Sequence, residues 1–288
     1  MKKVFSVLVG LIIACAVCNA QDEEKNIPNT PPRSNPKVYT LQAGNTVMSI
    51  DANYGARIFS LKKDGEEMLS ELEMPNMFGS TFWTSPQAEW NWPPVREIDS
   101  MPYSVYEADG QLIMTSQLSP KIRIRIQKIF EVDPEDNAFV ITYRMINESG
   151  MVKRVAPWEI TRVLNQGAVF FDAPVSQITP AGLMPFVDNH GLSWMWIDKD
   201  YTQNRKINSD GKGWLAYLHN NTVLIKRFPD IDPSQAAPGE AEIQVYVHRG
   251  DVYVELENQG AYTTLQPNDQ MDWTVRWYVK TLQEWLDE

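Results

Sequence analysis

A chain of 288 residues that is 43% hydrophobic and 11% aromatic has ample material for a packed core, as one large domain or two of average size. Its formal net charge of −11, from 37 acidic against 26 basic side chains, argues against nucleic acid or an anionic membrane surface as partner and suits a neutral ligand. The histidines are His190, His219 and His248, and both cysteines precede Asn19, so neither a Cys or Cys/His metal cluster nor a disulfide framework can be assembled. Phosphate loops and Ser/His/Asp motifs are absent from the sequence, and no cofactor is expected.

Met1 to Ala20 reads as an export signal: Lys2 and Lys3 precede an apolar run from Val4 to Val17, and small residues and then acids follow. The apolar run is short for a membrane span. Two processing routes compete. Cys18, Asn19 and Ala20 fit a signal-peptidase site that would start the mature chain at Gln21, whereas Ile12, Ile13, Ala14 and Cys15 resemble a lipobox that would anchor the chain to a membrane by a lipid on Cys15. Both lead to the periplasm or cell envelope. Gln21 to Lys37 is acidic and then proline-rich, and it reads as a disordered tether.

From Val38 to Glu288 the dominant period is two. Thr46 to Ile50 alternates, Tyr54 and Gly55 turn, and Arg57 to Leu61 alternates again before a hairpin turn at Lys63, Asp64 and Gly65. Phe78 to Pro94, FGSTFWTSPQAEWNWPP, breaks the pattern. It sets Trp83, Trp90 and Trp92 beside Gln87, Glu89 and Asn91, and its glycine and prolines point to a loop rather than an ordinary strand. Such indoles either fill the core or stack on a sugar ring. Lys121 to Val132 then alternates isoleucines with Arg123, Arg125 and Gln127, and Phe139 to Ile146 returns antiparallel across Pro134 to Asn137. Val223 to Phe228, Glu242 to His248, Val252 to Glu257 and Trp273 to Val279 continue as strands. Thr281 to Asp287 reads as a helix with Leu282, Trp285 and Leu286 on one face. The expected class is all-β, of sandwich type, with no linker dividing the body.

Asn45 to Leu69, NTVMSIDANYGARIFSLKKDGEEML, resembles the first hairpin of the galactose mutarotase-like superfamily. VYVELENQGAYTTLQPNDQMDWTVRWYV, toward the chain end, resembles its last strands. The central FWTSPQAEWNWPP and APWEITRV look closest to a branch catalogued as domain of unknown function 4380. The resemblance implies a galactose mutarotase-like β-supersandwich with a sugar-binding face and a carbohydrate ligand.

Aldose 1-epimerases of that superfamily use a histidine acid and a glutamate base at the anomeric centre, one protonating the ring oxygen while the other takes the hydroxyl proton. Leu256, Glu257, Asn258 and Gln259 fit the family's Leu-Glu-x-Gln motif, and Glu255 shares the strand face of Glu257. Where the family carries its histidine, this sequence reads VAPWEITRV, with Trp158 and Glu159. His190, beside Asp188 and Asn189, is then the candidate acid, His219 reads as a hairpin residue, and His248 lies on the polar side of a strand. Glu159 with Glu257 offers a second chemistry, the paired carboxylates of glycoside hydrolysis. Arg57, Arg162 and Arg276 are candidates to orient such carboxylates or to meet an acidic sugar, with surface charge as the plainer alternative. Three functions therefore stand side by side: a carbohydrate-binding protein, a sugar epimerase or glycosidase-like enzyme, and a structural envelope component. The expected ligand contacts are Trp83, Gln87, Trp90, Trp92, Trp158, Arg57 and Glu255. Nothing in the sequence sets an oligomeric state.

Overall fold

The computed structural model describes residues 36–71, 77–197, 201–250 and 252–287. The export signal, the lipid site at Cys15 and most of the Gln21–Lys37 tether fall outside the described residues. In chain order the strands begin β1 (Val38–Ala43), β2 (Thr46–Asp51), β3 (Arg57–Lys63), β4 (Glu66–Glu67) and β5 (Ser80–Ser85). A short helix, α1 (Arg96–Asp99), precedes β6 (Ser104–Ala108), β7 (Gln111–Thr115), β8 (Ile124–Asp133), β9 (Ala138–Asn147) and β10 (Lys153–Val163). Then come β11 (Ala168–Phe171), β12 (Val187–Asn189), β13 (Leu192–Trp196), β14 (Arg205–Ser209), β15 (Trp214–His219) and β16 (Thr222–Arg227). The chain closes with β17 (Ile243–Val247), β18 (Val254–Gln259), β19 (Thr263–Leu265), β20 (Gln270–Thr281) and α2 (Leu282–Leu286).

These strands form two ten-stranded antiparallel sheets among the described residues. The first runs β1-β2-β3-β5-β10-β18-β17-β14, with β4 and β19 at its side, and the second β12-β13-β11-β15-β16-β20-β9-β8-β7-β6. The core lies between them, where Phe82 of β5 stacks on Tyr143 of β9 at 4.5 Å and where Ile126, Phe130, Ile141, Val275 and Trp277 meet Val245, Val254 and Leu256. Burial of this apolar surface is the main driving force for closing the two layers.

The hairpins at both chain ends follow the two-residue period of the sequence. Alternation fails for the central strands, because a strand covered on both faces has no polar side to alternate with. Ser80–Ser85, in the stretch whose composition pointed to a loop, is such a strand, with every side chain buried. In β10 every side chain from Val155 to Val163 is buried, Pro157 included. β8 begins at Ile124 rather than Lys121, since Arg123 adopts a left-handed backbone (φ 59°) after the Ser119 turn. α2 forms as expected, with Thr281 and Glu284 in a reciprocal capping box. Its Leu282 and Trp285 cover the outer face of the second sheet around Phe170. Gly55 is required where it stands: with φ 69°, a Cβ there would lie 2.0 Å from the carbonyl oxygen of Asp99.

Candidate functional site

Cross-strand register places one set of side chains on the face of the first sheet turned away from the second, here called the distal face. Trp158, Ile160 and Arg162 of β10 stand opposite Gln259, Glu257 and Glu255 of β18. On the other flank of β10, Trp158 and Ile160 oppose Trp83 and Thr81 of β5. Beyond β18, Glu257 and Glu255 oppose Gln244 and Tyr246 of β17, and Tyr246 opposes Lys206 of β14. Directly opposed residues in an antiparallel sheet share a face, so eight strand positions converge on Glu257 from four neighbouring strands.

The Glu257 carboxylate is 1% exposed. Its Oε2 accepts from Trp158 Nε1 at 2.9 Å and from Lys206 Nζ at 2.8 Å, while its buried Oε1 accepts from no group. Burial pushes the carboxyl up to about 7; Lys206 opposes the shift, and the charges of Glu255 and Glu240 add to it. Two residues away, Glu255 pairs with Arg162 Nη2 at 2.7 Å. That guanidinium is fully buried between the rings of Trp83, 5.7 Å away, and Tyr253, at 5.6 Å. Its Nε and Nη1 find no acceptor, and neither does Trp92 Nε1.

The segment after β5 closes over this face. Trp90 is core: it is 1% exposed and its Nε1 donates to the Thr84 carbonyl at 2.8 Å. Trp83 meets Trp90, Trp92 and Trp158 edge-on, at 5.8, 6.2 and 5.3 Å, and donates from Nε1 to Asp99 Oδ1. Trp92 stays half-buried. Gln87 is half-buried too, and its backbone N–H approaches Glu240 Oε1 at 3.4 Å, tying the 86–95 segment to the loop before β17. Glu240 in turn accepts from Gln244 Nε2 at 2.8 Å and Gln259 Nε2 at 3.3 Å.

Of the residues singled out by sequence, Glu257, Glu255, Trp158 and Trp83 come together, with Trp92 and Gln87 at the rim. Glu159, His190, Arg57, Arg276 and His219 do not join them. Glu159 points between the sheets, because its strand neighbours Trp158 and Ile160 hold the distal positions; it pairs with Lys226 at 2.8 Å, both side chains fully buried, and accepts from Tyr143 and Trp277. His190 is exposed in the β12–β13 turn, with φ 55°, at the far edge of the second sheet. Arg57 is fully buried and spent on Asp99 Oδ1 at 2.8 Å, the Asp99 carbonyl and the Phe78 carbonyl. Arg276 lies on the second sheet, paired with Asp133 and Asp136. His219 sits at the end of β15, 3.6 Å from Glu66. His248 does face the distal side, but beyond β17, with Nδ1 donating to the Arg249 carbonyl and its ring 5.0 Å from that of Tyr253.

Sequence reasoning missed Lys206, Gln244, Glu240 and Asp99. Their motif-free segments reach the site only through the pairing of β14 with β17 and of α1 with β5.

No family model matches the chain, and no curated protein matches it. Solved structures do. A candidate aldose 1-epimerase from Escherichia coli K12 aligns with a TM-score of 0.60 at 10% identity, over 86% of this chain and 100% of that one. A galactose mutarotase-like protein from Lactobacillus casei gives 0.58 at 11% identity, over 84% and 100%. A galactose mutarotase-like protein from Clostridium acetobutylicum gives 0.55 at 10% identity, over 88% and 97%. The fold is galactose mutarotase-like. At such identities the likeness carries the architecture and not the chemistry. On this mutarotase-like frame the Leu-Glu-x-Gln segment is β18 near the middle of the first sheet, with its two glutamates on the distal face.

Proposed function

We propose that the distal face of the first sheet is a carbohydrate site centred on Glu257. One observation carries this reading. Buried polar atoms without partners gather there in both senses, as the donors Arg162 Nε and Nη1 and Trp92 Nε1 and as the acceptors Glu257 Oε1 and Gln259 Oε1. A buried polar atom left unpaired costs free energy, so a ligand that completes the set is favoured. Hydroxyl groups both donate and accept, and a sugar ring supplies several on one apolar frame that suits the Trp158, Trp83 and Trp92 indoles. The charges Glu240, Glu255 and Glu257 outnumber Arg162 and Lys206, which favours a neutral sugar over an acidic one.

In this reading Glu257 accepts a hydrogen bond from a sugar hydroxyl through Oε1, and in an epimerase reading it would take that proton. A carboxyl pushed up to about 7 is a stronger base than an ordinary glutamate while remaining largely ionised in mildly basic solution. Where the resemblance puts the family histidine this sequence has Trp158 and Glu159, so binding is the primary assignment and sugar epimerisation the second reading, favoured by that raised carboxyl. The glycosidase pairing with Glu159 finds no support, since that group faces the other way. Membership of the domain of unknown function 4380 branch and export to the cell envelope are part of the same proposal, and both rest on the sequence motifs.

The test is calorimetric titration of the chain from Val38 onward with D-glucose, D-galactose and short oligosaccharides, beside anomer exchange followed by NMR. Saturable binding that Glu257→Gln or Trp92→Ala weakens supports the site. No binding across the panel would overturn it in favour of the structural envelope reading.

A further inference from the structure

Lys206 is on β14, the outermost strand of the first sheet, where a lysine ordinarily extends into water. Here the side chain, still 36% exposed, bends back over the Trp158 ring with Nζ 4.8 Å from its centroid and ends 2.8 Å from Glu257 Oε2. The same oxygen accepts the Trp158 indole N–H, so both donors fall on Oε2 and none on Oε1. Two donors converging on one oxygen fix the rotation of a carboxylate and leave the other oxygen with its lone pairs free.

We propose that Lys206 is the positioning residue of this site, holding the Glu257 carboxylate by Oε2 so that Oε1 is the atom presented to a ligand hydroxyl. The proposal deepens the carbohydrate reading above and rests on it for the identity of the ligand. Every charged or titratable group facing Glu257 fits this division of labour. On its own strand Glu255 repels it and is itself committed to Arg162 of β10; from the loop before β17 Glu240 repels it and is committed to Gln244 and Gln259. Tyr246 of β17 stands opposite Glu255, and Tyr253 ahead of β18 interacts with Glu255 more than with Glu257; from the other side of the sheet the buried Lys226 amine of β16 feels the Glu257 charge but is committed to Glu159. Lys206 is thus the cation in contact with the Glu257 carboxylate, and it is also the one side chain of the contact that reaches solvent. Remove it and the main opposition to the burial and repulsion that raise the carboxyl is gone, the Trp158 N–H remaining on Oε2.

The experiment uses two variants: Lys206→Met, which keeps the stem over Trp158 and deletes the charge, and Lys206→Arg, which keeps the charge. Protein labelled with 13C at the glutamate carboxyl is titrated by NMR without any sugar, the Glu257 resonance being assigned by its loss in Glu257→Gln. The expected result is a midpoint near 7 in the unmodified protein, raised by about one pH unit or more in Lys206→Met, roughly tenfold in proton affinity, and brought back in Lys206→Arg. A purely structural tie between β14 and β18 would lower thermal stability and leave the midpoint in place. D-glucose and D-galactose titrations of the same proteins form the second arm. An unmoved midpoint overturns the proposal whatever the sugars do. A raised midpoint in a protein that binds neither these sugars nor the short oligosaccharides of the panel above upholds the hold of Lys206 on Glu257 and overturns the carbohydrate reading instead.

Discussion

Glu257 and Glu159 lie on paired strands yet point to opposite faces of the first sheet, because Glu257 registers with Ile160 while Glu159 registers with Asn258. The two carboxylates therefore answer to different chemistry. Glu257→Gln keeps shape and hydrogen bonding, so it is expected to leave the melting temperature nearly unchanged while cutting any anomer exchange by roughly 100-fold. Glu159→Gln leaves the Lys226 amine buried without its counter-charge and is expected to cost about 3–5 kcal/mol. Urea unfolding monitored beside anomer exchange separates the two, and a Glu159→Gln protein as stable as wild type but inactive would reverse the assignment.

That one-residue phase difference also shows what the sequence could and could not disclose. The hairpin of β2 and β3 and the strand β20 alternate plainly, since each has one face on the core and one less buried, and period two then fixes which residues share a side. β5 and β10 carry no such alternation, so Glu159 and Trp158 read alike until pairing assigned them opposite sides. Lys206 stands in TQNRKINSD with no local signal at all. Its place depends on β14 finding β17 across some forty residues of chain, a non-local pairing that local pattern does not encode.

The tryptophans of the 78–94 stretch, alike in sequence, are expected to separate on mutation. Trp90→Ala removes a fully buried indole whose N–H satisfies the Thr84 carbonyl, and should lower stability by about 3–5 kcal/mol. Trp92 is half-buried with an unpartnered N–H, so Trp92→Ala should cost less stability and more sugar affinity. Thermal melts recorded with sugar titrations read both effects. Equal stability losses with unchanged affinity would make Trp92 a packing residue like Trp90.

Gly79 opens the segment leading into β5 with φ 57°, and a Cβ there would lie 2.2 Å from the Ile58 carbonyl oxygen. The close approach lets β3 and β5 pair beside Arg57, so Gly79→Ala must move backbone rather than a flexible side chain. Strain and displacement together should cost more than about 2 kcal/mol. A denaturation midpoint within error of wild type would show that the two strands have room to separate.

Stability should pass through a trough near pH 7. Glu257 and Glu242 are both buried and both raised from 4.5 to about 7, chiefly by burial. Between those values the folded chain keeps protons that the unfolded chain has already lost, so stability falls as pH rises across the window, by about 1.4 kcal/mol per unit for each group. Lys128 shifts the other way. Its amine, buried against the carbonyls of Gly55 and Ala56, is lowered from 10.5 to about 7 by burial first and by Arg57 second. From pH 7 upward the unfolded chain therefore holds a proton that the folded chain has released, and stability climbs toward the ordinary lysine value. Urea unfolding at pH 5, 7 and 9.5 should give a minimum at the middle value. Lys128→Met, close in length and without a charge to desolvate, should flatten the alkaline limb and spare the acid one. If the variant still gains stability between pH 7 and 9.5 as the wild type does, the buried amine is not the group responsible.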